Sequence, residues 1–182
     1  MKKTKKIGFG GSCHWCTEAI FSSLNGVKTV EQGWISSLND DNEFSEAVIV
    51  NYDEDIIPIE NLVEIHLNTH SCTSEHVLRN KYRSAVYVFN SFQEKECLQI
   101  IKKLQADFNQ PIITKVISFD KFKLNHDHYL NYYYNNPDRP FCQNIVNPKL
   151  QKLISLFPNA INTDKMTSIE KLDELLPVIK KF

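Results

Sequence analysis

The apolar residues of this chain switch repeatedly between a two-residue and a 3.6-residue spacing, and the order of those switches limits the folds open to it. Residues 6–9 form a short apolar run closed by Gly8, Gly10 and Gly11, which predicts a strand leaving into a tight turn. Ser12 then offers an N-cap to a helix over 13–24, whose Ile20, Phe21 and Leu24 share a face and which Asn25-Gly26 ends. Residues 27–35 and 47–52 read as strands, the second alternating around Val48 and Val50. Pro58 opens a helix with Ile59, Leu62, Val63 and His66 at helical spacing. A strand over 85–89, a helix over 93–108 with Cys97, Ile100, Ile101 and Leu104 in a stripe, and a strand over 112–117 after Pro111 follow. A last helix is predicted over 127–134, ending before Asn136-Pro137.

The order β-α-β-β-α-β, then a further helix and strand, is the split βαβ pattern. It predicts an α+β, two-layer sandwich, a mixed sheet with helices mostly on one face in the ferredoxin-like manner. That domain spans residues 1–157. Leu172, Leu175, Leu176 and Ile179 stand at helical spacing, so residues 158–182 are expected to add a C-terminal helical extension packed on the same domain.

Charge removes several functions. Lys and Arg number 21 against 22 Asp and Glu, a formal net charge of -1, which lacks the electrostatic footprint of a nucleic-acid binder. Lys2, Lys3, Lys5 and Lys6 read as a solvated terminus. No run approaches the roughly 20 apolar residues that span a bilayer, and the apolar stretch at 7–9 is too short for a secretory core. The expectation is a cytoplasmic protein with neither membrane nor nucleic acid as partner. The 182 residues include five cysteines, an odd number that cannot pair completely, so reduced thiols with redox or metal chemistry are expected.

One of those thiols sits where a thiolate is favoured, with a second close by. In GGSCHWCTEAIF, residues 10–21, Cys13 falls in the first turn of the predicted helix, where backbone N–H groups and the helix dipole stabilise an anion. His14 offers positive charge beside it. Cys16, three residues on, lies on the same face and is placed to form a disulfide with an oxidised Cys13. The same Cys-x-x-Cys also serves as half of a structural metal site, completed by His14 and a distant member of the six histidines.

Gly11 to Cys16, with Glu18 and Phe21, resembles the signature of the A-type peptide methionine sulfoxide reductases, Gly-Cys-Phe-Trp-Gly followed by Glu and an aromatic. The resemblance continues in Asn25-Gly26-Val27 and Gly33, in FSEAVIVNYDEDIIPIENLVEIH (residues 44–66), in KYRSAVYV (residues 81–88) and in NNPDRPFC before and at Cys142. It covers roughly residues 5–150. It implies a peptide-methionine (S)-S-oxide reductase with an α+β fold, acting on oxidised methionine in proteins or small molecules. Cys13 matches the nucleophile, Glu46 the acid that protonates the sulfoxide oxygen, and Tyr82 a phenol donating to that oxygen. A buried Glu46 carboxyl would be raised by desolvation, as an acid near neutrality requires. Trp15 matches the wall that holds the S-methyl group, with His14 beside it. Cys142 matches the C-terminal resolving cysteine, and Cys16 is a second candidate. No cofactor is implied to be bound; a thioredoxin-like thiol reductant would reopen the disulfide. Cys72 and Cys97 are read as inert.

The departures gather at the site. Ser12 and Cys16 stand for the signature's two glycines and His14 for its Phe. Between Gly33 and Glu46 there is Trp34 but no second tyrosine; its loss removes a donor worth about 2–4 kcal/mol unless replaced. The acidic residue before the Tyr-Arg-Ser strand falls near Val77, and His126 and Tyr129 replace a Glu and a His around Asp127. Two enzymatic readings follow. One is a divergent methionine sulfoxide reductase in which His14 or another histidine supplies the donor. The other is a paralogue using the same thiols on another sulfoxide or a disulfide. A Cys/His metal-binding module is the non-enzymatic third.

Overall fold

The computed structural model describes residues 4–167 of the chain. Strands β1 (Thr4–Gly10), β2 (Val27–Ser37), β3 (Ser45–Asp53), β4 (Ala85–Val88) and β5 (Lys115–Leu124) are interleaved with helices α1 (His14–Ser22), α2 (Ile59–Thr69) and α3 (Ser91–Leu104) in the expected order. Four strands bond in the sequence β4-β1-β3-β2, the split βαβ arrangement, but the sheet does not stay open. β5 bonds to both of its edges and closes a five-stranded barrel, in place of the expected two-layer sandwich.

The length of β5 explains the closure. Residues 115–118 run parallel to residues 85–88 of β4, and residues 119–124 run antiparallel to residues 33–37 of β2. One ten-residue strand thus satisfies the hydrogen-bonding groups of two edges that an open sheet would leave exposed. Gly33 makes the approach possible, since a Cβ there would lie 2.1 Å from the Lys123 carbonyl oxygen.

The barrel has two faces, and the two-residue period of β3 shows which is which. Ala47 and Ile49 join Ile35, Ala85 and Tyr87 in a small cluster made of strand residues alone, the inside of the ring. Val48, Val50 and Tyr52 join Ile7, Phe9 and the helices in the large core. Phe9 stacks on Phe21 of α1 at 4.5 Å, with the His66 ring tilted against it at 4.8 Å. Glu46 shares the parity of Val48, so it faces the helices.

Residues 127–134 are not one helix. A 3-10 turn at Asp127–Tyr129 is separated from α4 (Tyr132–Asn135) by Asn131, whose φ of 51° is left-handed and interrupts the helix. The Asn131 N–H donates instead to Glu18 Oε1 at 2.9 Å. A π-helical turn at Cys142–Val146 then leads into α5 (Asn147–Leu156), and a short helix α6 (Thr163–Thr167) follows. Met166 is buried and Leu24 bridges to Ile161, tying this segment to the body. Leu172, Leu175, Leu176 and Ile179 lie outside the described residues. Among the described residues no helix is long and apolar enough to cross a membrane.

Candidate active site

β1 delivers the chain to α1 through Gly10 and Gly11. Gly11 has φ +142°, and a Cβ on it would come within 2.5 Å of His70 Cδ2, so the turn rests on an imidazole ring. Cys13, rather than Ser12, takes the N-cap position, and its carbonyl accepts from Cys16 N–H at 3.1 Å and Thr17 N–H at 3.2 Å. Ser12 instead exchanges a side-chain hydrogen bond with Thr17 at 3.2 Å.

All five cysteines are unpaired thiols. The Cys13 thiol is lowered from its ordinary value, chiefly by a hydrogen bond from the Cys16 side chain. Burial opposes this, and the Trp15 and Cys16 N–H groups of the helix start reinforce it. The partner effect is the reverse: Cys16 is pushed far up, first by that same hydrogen bond and then by burial. One thiol therefore holds the proton and the other is readied to lose it. Cys142 is fully buried, close enough to Cys16 to act on it electrostatically, and itself raised by burial. Burial also raises Cys72 and pushes Cys97 up to about 12.

His14 does not add charge beside Cys13. Burial lowers its proton affinity, outweighing the Glu46 carboxyl, which pulls the other way, and Lys81 lowers it further. Its ring faces Glu46: Nδ1 lies 3.2 Å from Glu46 Oε2, off the line of a hydrogen bond. The His14 backbone N–H donates to the same oxygen at 3.1 Å, and Lys81 Nζ lies 3.2 Å from Oε1. Glu46 is thus a buried carboxyl with two donors and the His14 ring around it and not an exposed strand-edge residue.

These groups open onto a cavity of about 360 Å³ lined by Cys13, His14, Trp15, Trp34, Glu46, Lys81, Tyr82, Asn125, Tyr129 and Phe141. Trp15 lies flat on Tyr132 at 4.0 Å and meets Phe141 edge-on at 5.5 Å, so one wall is an aromatic stack. Tyr82 carries Lys81 Nζ 5.0 Å above its ring. The cavity brings together Cys13, His14, Trp15, Glu46 and Tyr82; Cys16 and Cys142 lie in the apolar core behind it.

Five lining residues were not expected as site residues: Trp34, Lys81, Asn125, Tyr129 and Phe141. Trp34 had a readable signal, for it sits directly opposite Glu46 in the β2–β3 register. Lys81 adjoins Tyr82 and was legible by neighbourhood. Asn125 had none, because its place depends on where β5 ends. It anchors a polar chain: Trp34 Nε1–H donates to Asn125 Oδ1 at 3.1 Å, and Asn125 Nδ2–H donates to Gln32 Oε1 at 2.7 Å. Gln32 Nε2–H donates in turn to Glu18 Oε2 at 2.7 Å and to the Tyr129 carbonyl at 3.1 Å. Burial raises Glu18, against the N–H groups of Asn131 and Gln32. Among the described residues no group of three or more His, Cys, Asp or Glu is arranged to hold a metal ion.

A cysteine of lowered pKa at a helix start, a second thiol beside it, and a carboxyl in the same cavity define a thiol-dependent oxidoreductase. The chain belongs to the peptide methionine sulfoxide reductase family, whose model matches residues 5–160. It is 32% identical over 161 residues to "Peptide methionine sulfoxide reductase MsrA" of Deinococcus radiodurans, covering 80% of this chain and 78% of that one. Crystal structures that share its fold include two of Mxr1. The reduced form of Mxr1 from Saccharomyces cerevisiae matches with a TM-score of 0.65 at 22% identity, over 75% of this chain and 87% of that one. Mxr1 in complex with Trx2 matches with a TM-score of 0.58 at 20% identity, over 70% and 84%.

Proposed function

We propose that this enzyme reduces methionine S-sulfoxide, free or in peptides, with Cys13 as nucleophile and Cys16 as the first resolving thiol. The observation that carries the reading is Cys13 at the N-cap of α1, its thiol lowered by its Cys16 neighbour, at the edge of a cavity that also holds Glu46 and Tyr82. The Cys13 thiolate attacks the sulfoxide sulfur while the oxygen takes a proton from Glu46, with Tyr82 donating to that oxygen. The hydroxyl then passes from the methionine sulfur to Cys13 Sγ as the newly formed S–S bond breaks and returns its electron pair to the methionine sulfur, which leaves methionine and a Cys13 sulfenic acid. The Cys16 thiol attacks the sulfenic sulfur, forming the Cys13–Cys16 disulfide and releasing water. Trp15, Phe141 and Tyr129 supply apolar contact for the S-methyl group, with His14 on the adjoining side.

An external dithiol then opens the disulfide by exchange. The fold shared with Mxr1, crystallised with Trx2, supports a thioredoxin-like reductant, and such a partner is consistent with a cytoplasmic setting. Cys142, behind Cys16, is suited to take over the disulfide from it. The test is turnover of each epimer of a methionine sulfoxide peptide with dithiothreitol as reductant. The S epimer is reduced by the wild type and not by Cys13→Ala; no turnover of the S epimer by the wild type would refute the assignment.

A further inference from the structure

The amide of Asn125 lies 3.3 Å from His14 Nε2 through its Nδ2. What each atom does in that contact follows from the groups on either side. The Tyr129 carbonyl can only accept, so the atom of Gln32 that faces it at 3.1 Å is the donating Nε2. That leaves Gln32 Oε1 towards Asn125, where it can only accept, so the Asn125 atom 2.7 Å away is Nδ2. The Trp34 indole, which can only donate, reaches the same orientation from the other side by bonding to Asn125 Oδ1 at 3.1 Å. Two groups of fixed polarity, the Tyr129 carbonyl acting through Gln32 and the Trp34 indole acting directly, thus orient the amide.

The second Nδ2–H of Asn125 is then the group presented to His14 Nε2. A ring nitrogen that meets an N–H must be the bare one, and the proton of neutral His14 sits on Nδ1. Nδ1 is buried and lies 3.2 Å from Glu46 Oε2, and the Gly33 carbonyl, an acceptor that favours a protonated ring, also lies beside the imidazole. Were the ring to charge, Nε2–H would face Nδ2–H, donor against donor, in a buried site. The titratable groups around the ring are Cys13 at the N-cap of α1, Glu46 on β3, and Lys81, Tyr82 and Tyr129; β2 and the residue after β5 present Trp34, Gln32 and Asn125, which do not ionise.

We infer that Asn125 is a positioning residue that holds His14 neutral in its Nδ1–H tautomer, with that proton on the ring edge nearest Glu46. The inference deepens the proposed function and rests on it for the role of Glu46. The tautomer itself is independent of turnover. The direction of the pKa shift at His14 agrees, since burial already disfavours the cation.

The test is nuclear magnetic resonance of isotope-labelled ring nitrogens at neutral pH, with the His14 signals identified by their loss in His14→Phe. In the wild type, Nδ1 carries the proton and Nε2 is bare; a protonated Nε2, in either the other tautomer or the imidazolium, overturns the inference. Asn125→Asp replaces the donating N–H by an acceptor. It is expected to move the proton to Nε2 and to raise the pH at which His14 charges by about one pH unit or more, the scale of an opposite charge within about 4–6 Å. An unchanged tautomer and titration in Asn125→Asp also overturns it. Neither readout involves the sulfoxide, so a protein that fails to reduce methionine sulfoxide but shows this tautomer refutes the proposed function alone.

Discussion

Lowering the pH should unload the support beneath Gly11. His70 Nδ1 lies 2.6 Å from the His66 carbonyl oxygen and its Nε2 lies 2.8 Å from Ser84 Oγ, while its ring stacks on His66 at 4.1 Å. Burial, with the nearby Arg79 and Lys149 charges, lowers its pKa from 6.5 to about 4 despite the His66 carbonyl. The unfolded chain therefore binds a proton near pH 6.5 that the folded chain refuses until about pH 4. The sign follows: stability is fully present above pH 6.5 and is lost as pH falls from there through about 4. At about 1.4 kcal/mol per pH unit of difference, His70 alone removes about 3 kcal/mol at most, a large share of the roughly 5–15 kcal/mol of a typical domain. His66, lowered well below its ordinary value by burial first and His70 second, acts in the same direction. The assay is urea denaturation between about pH 7 and about pH 4 for the wild type and His70→Gln. Carboxylates titrate in both and cancel in the difference, so the gap between the curves should narrow on acidification by up to about 3 kcal/mol. Parallel curves would refute the assignment of that loss to His70.

Two further outcomes test the site. Cys16→Ala removes the hydrogen bond that most lowers Cys13, so the pH dependence of Cys13 alkylation should move to higher pH while one equivalent of methionine is still formed per enzyme; an unmoved profile would place the thiolate's stabilisation in the helix start alone. Gly11→Ala puts a Cβ at φ +142° and 2.5 Å from His70 Cδ2, for a loss of at least about 2 kcal/mol in urea denaturation; a neutral result would contradict the contact between the turn and the ring.

Much of this was legible from local pattern. The element order, the turn at Gly10-Gly11 and the thiol at a helix start all depend on neighbours in sequence, and they stand in the structure. The polarity of His14 was misjudged because the sign of a histidine's shift depends on what encloses it. Next to a thiol in sequence it reads as a cation; packed against Glu46, Asn125 and two tryptophans it is neutral. The helix expected over 127–134 failed for a related reason. Its periodicity was intact, but Asn131 adopts a left-handed conformation and gives its N–H to the buried Glu18, a partner more than a hundred residues away in the chain.

The sequence by itself determined the order of strands and helices as far as β5, the thiol pair and the resemblance to a sulfoxide reductase, because periodicity, capping and the Cys-x-x-Cys spacing are set by residues close along the chain. The tertiary structure decided the closed barrel, the placing of Glu46 against the first turn of α1, and the side-chain chain from Glu18 to His14. Each of these rests on strands meeting at long range. β5 closes the ring only by bonding two edges at once, and only when it does so is Asn125, the residue after its end, brought beside the histidine that follows Cys13.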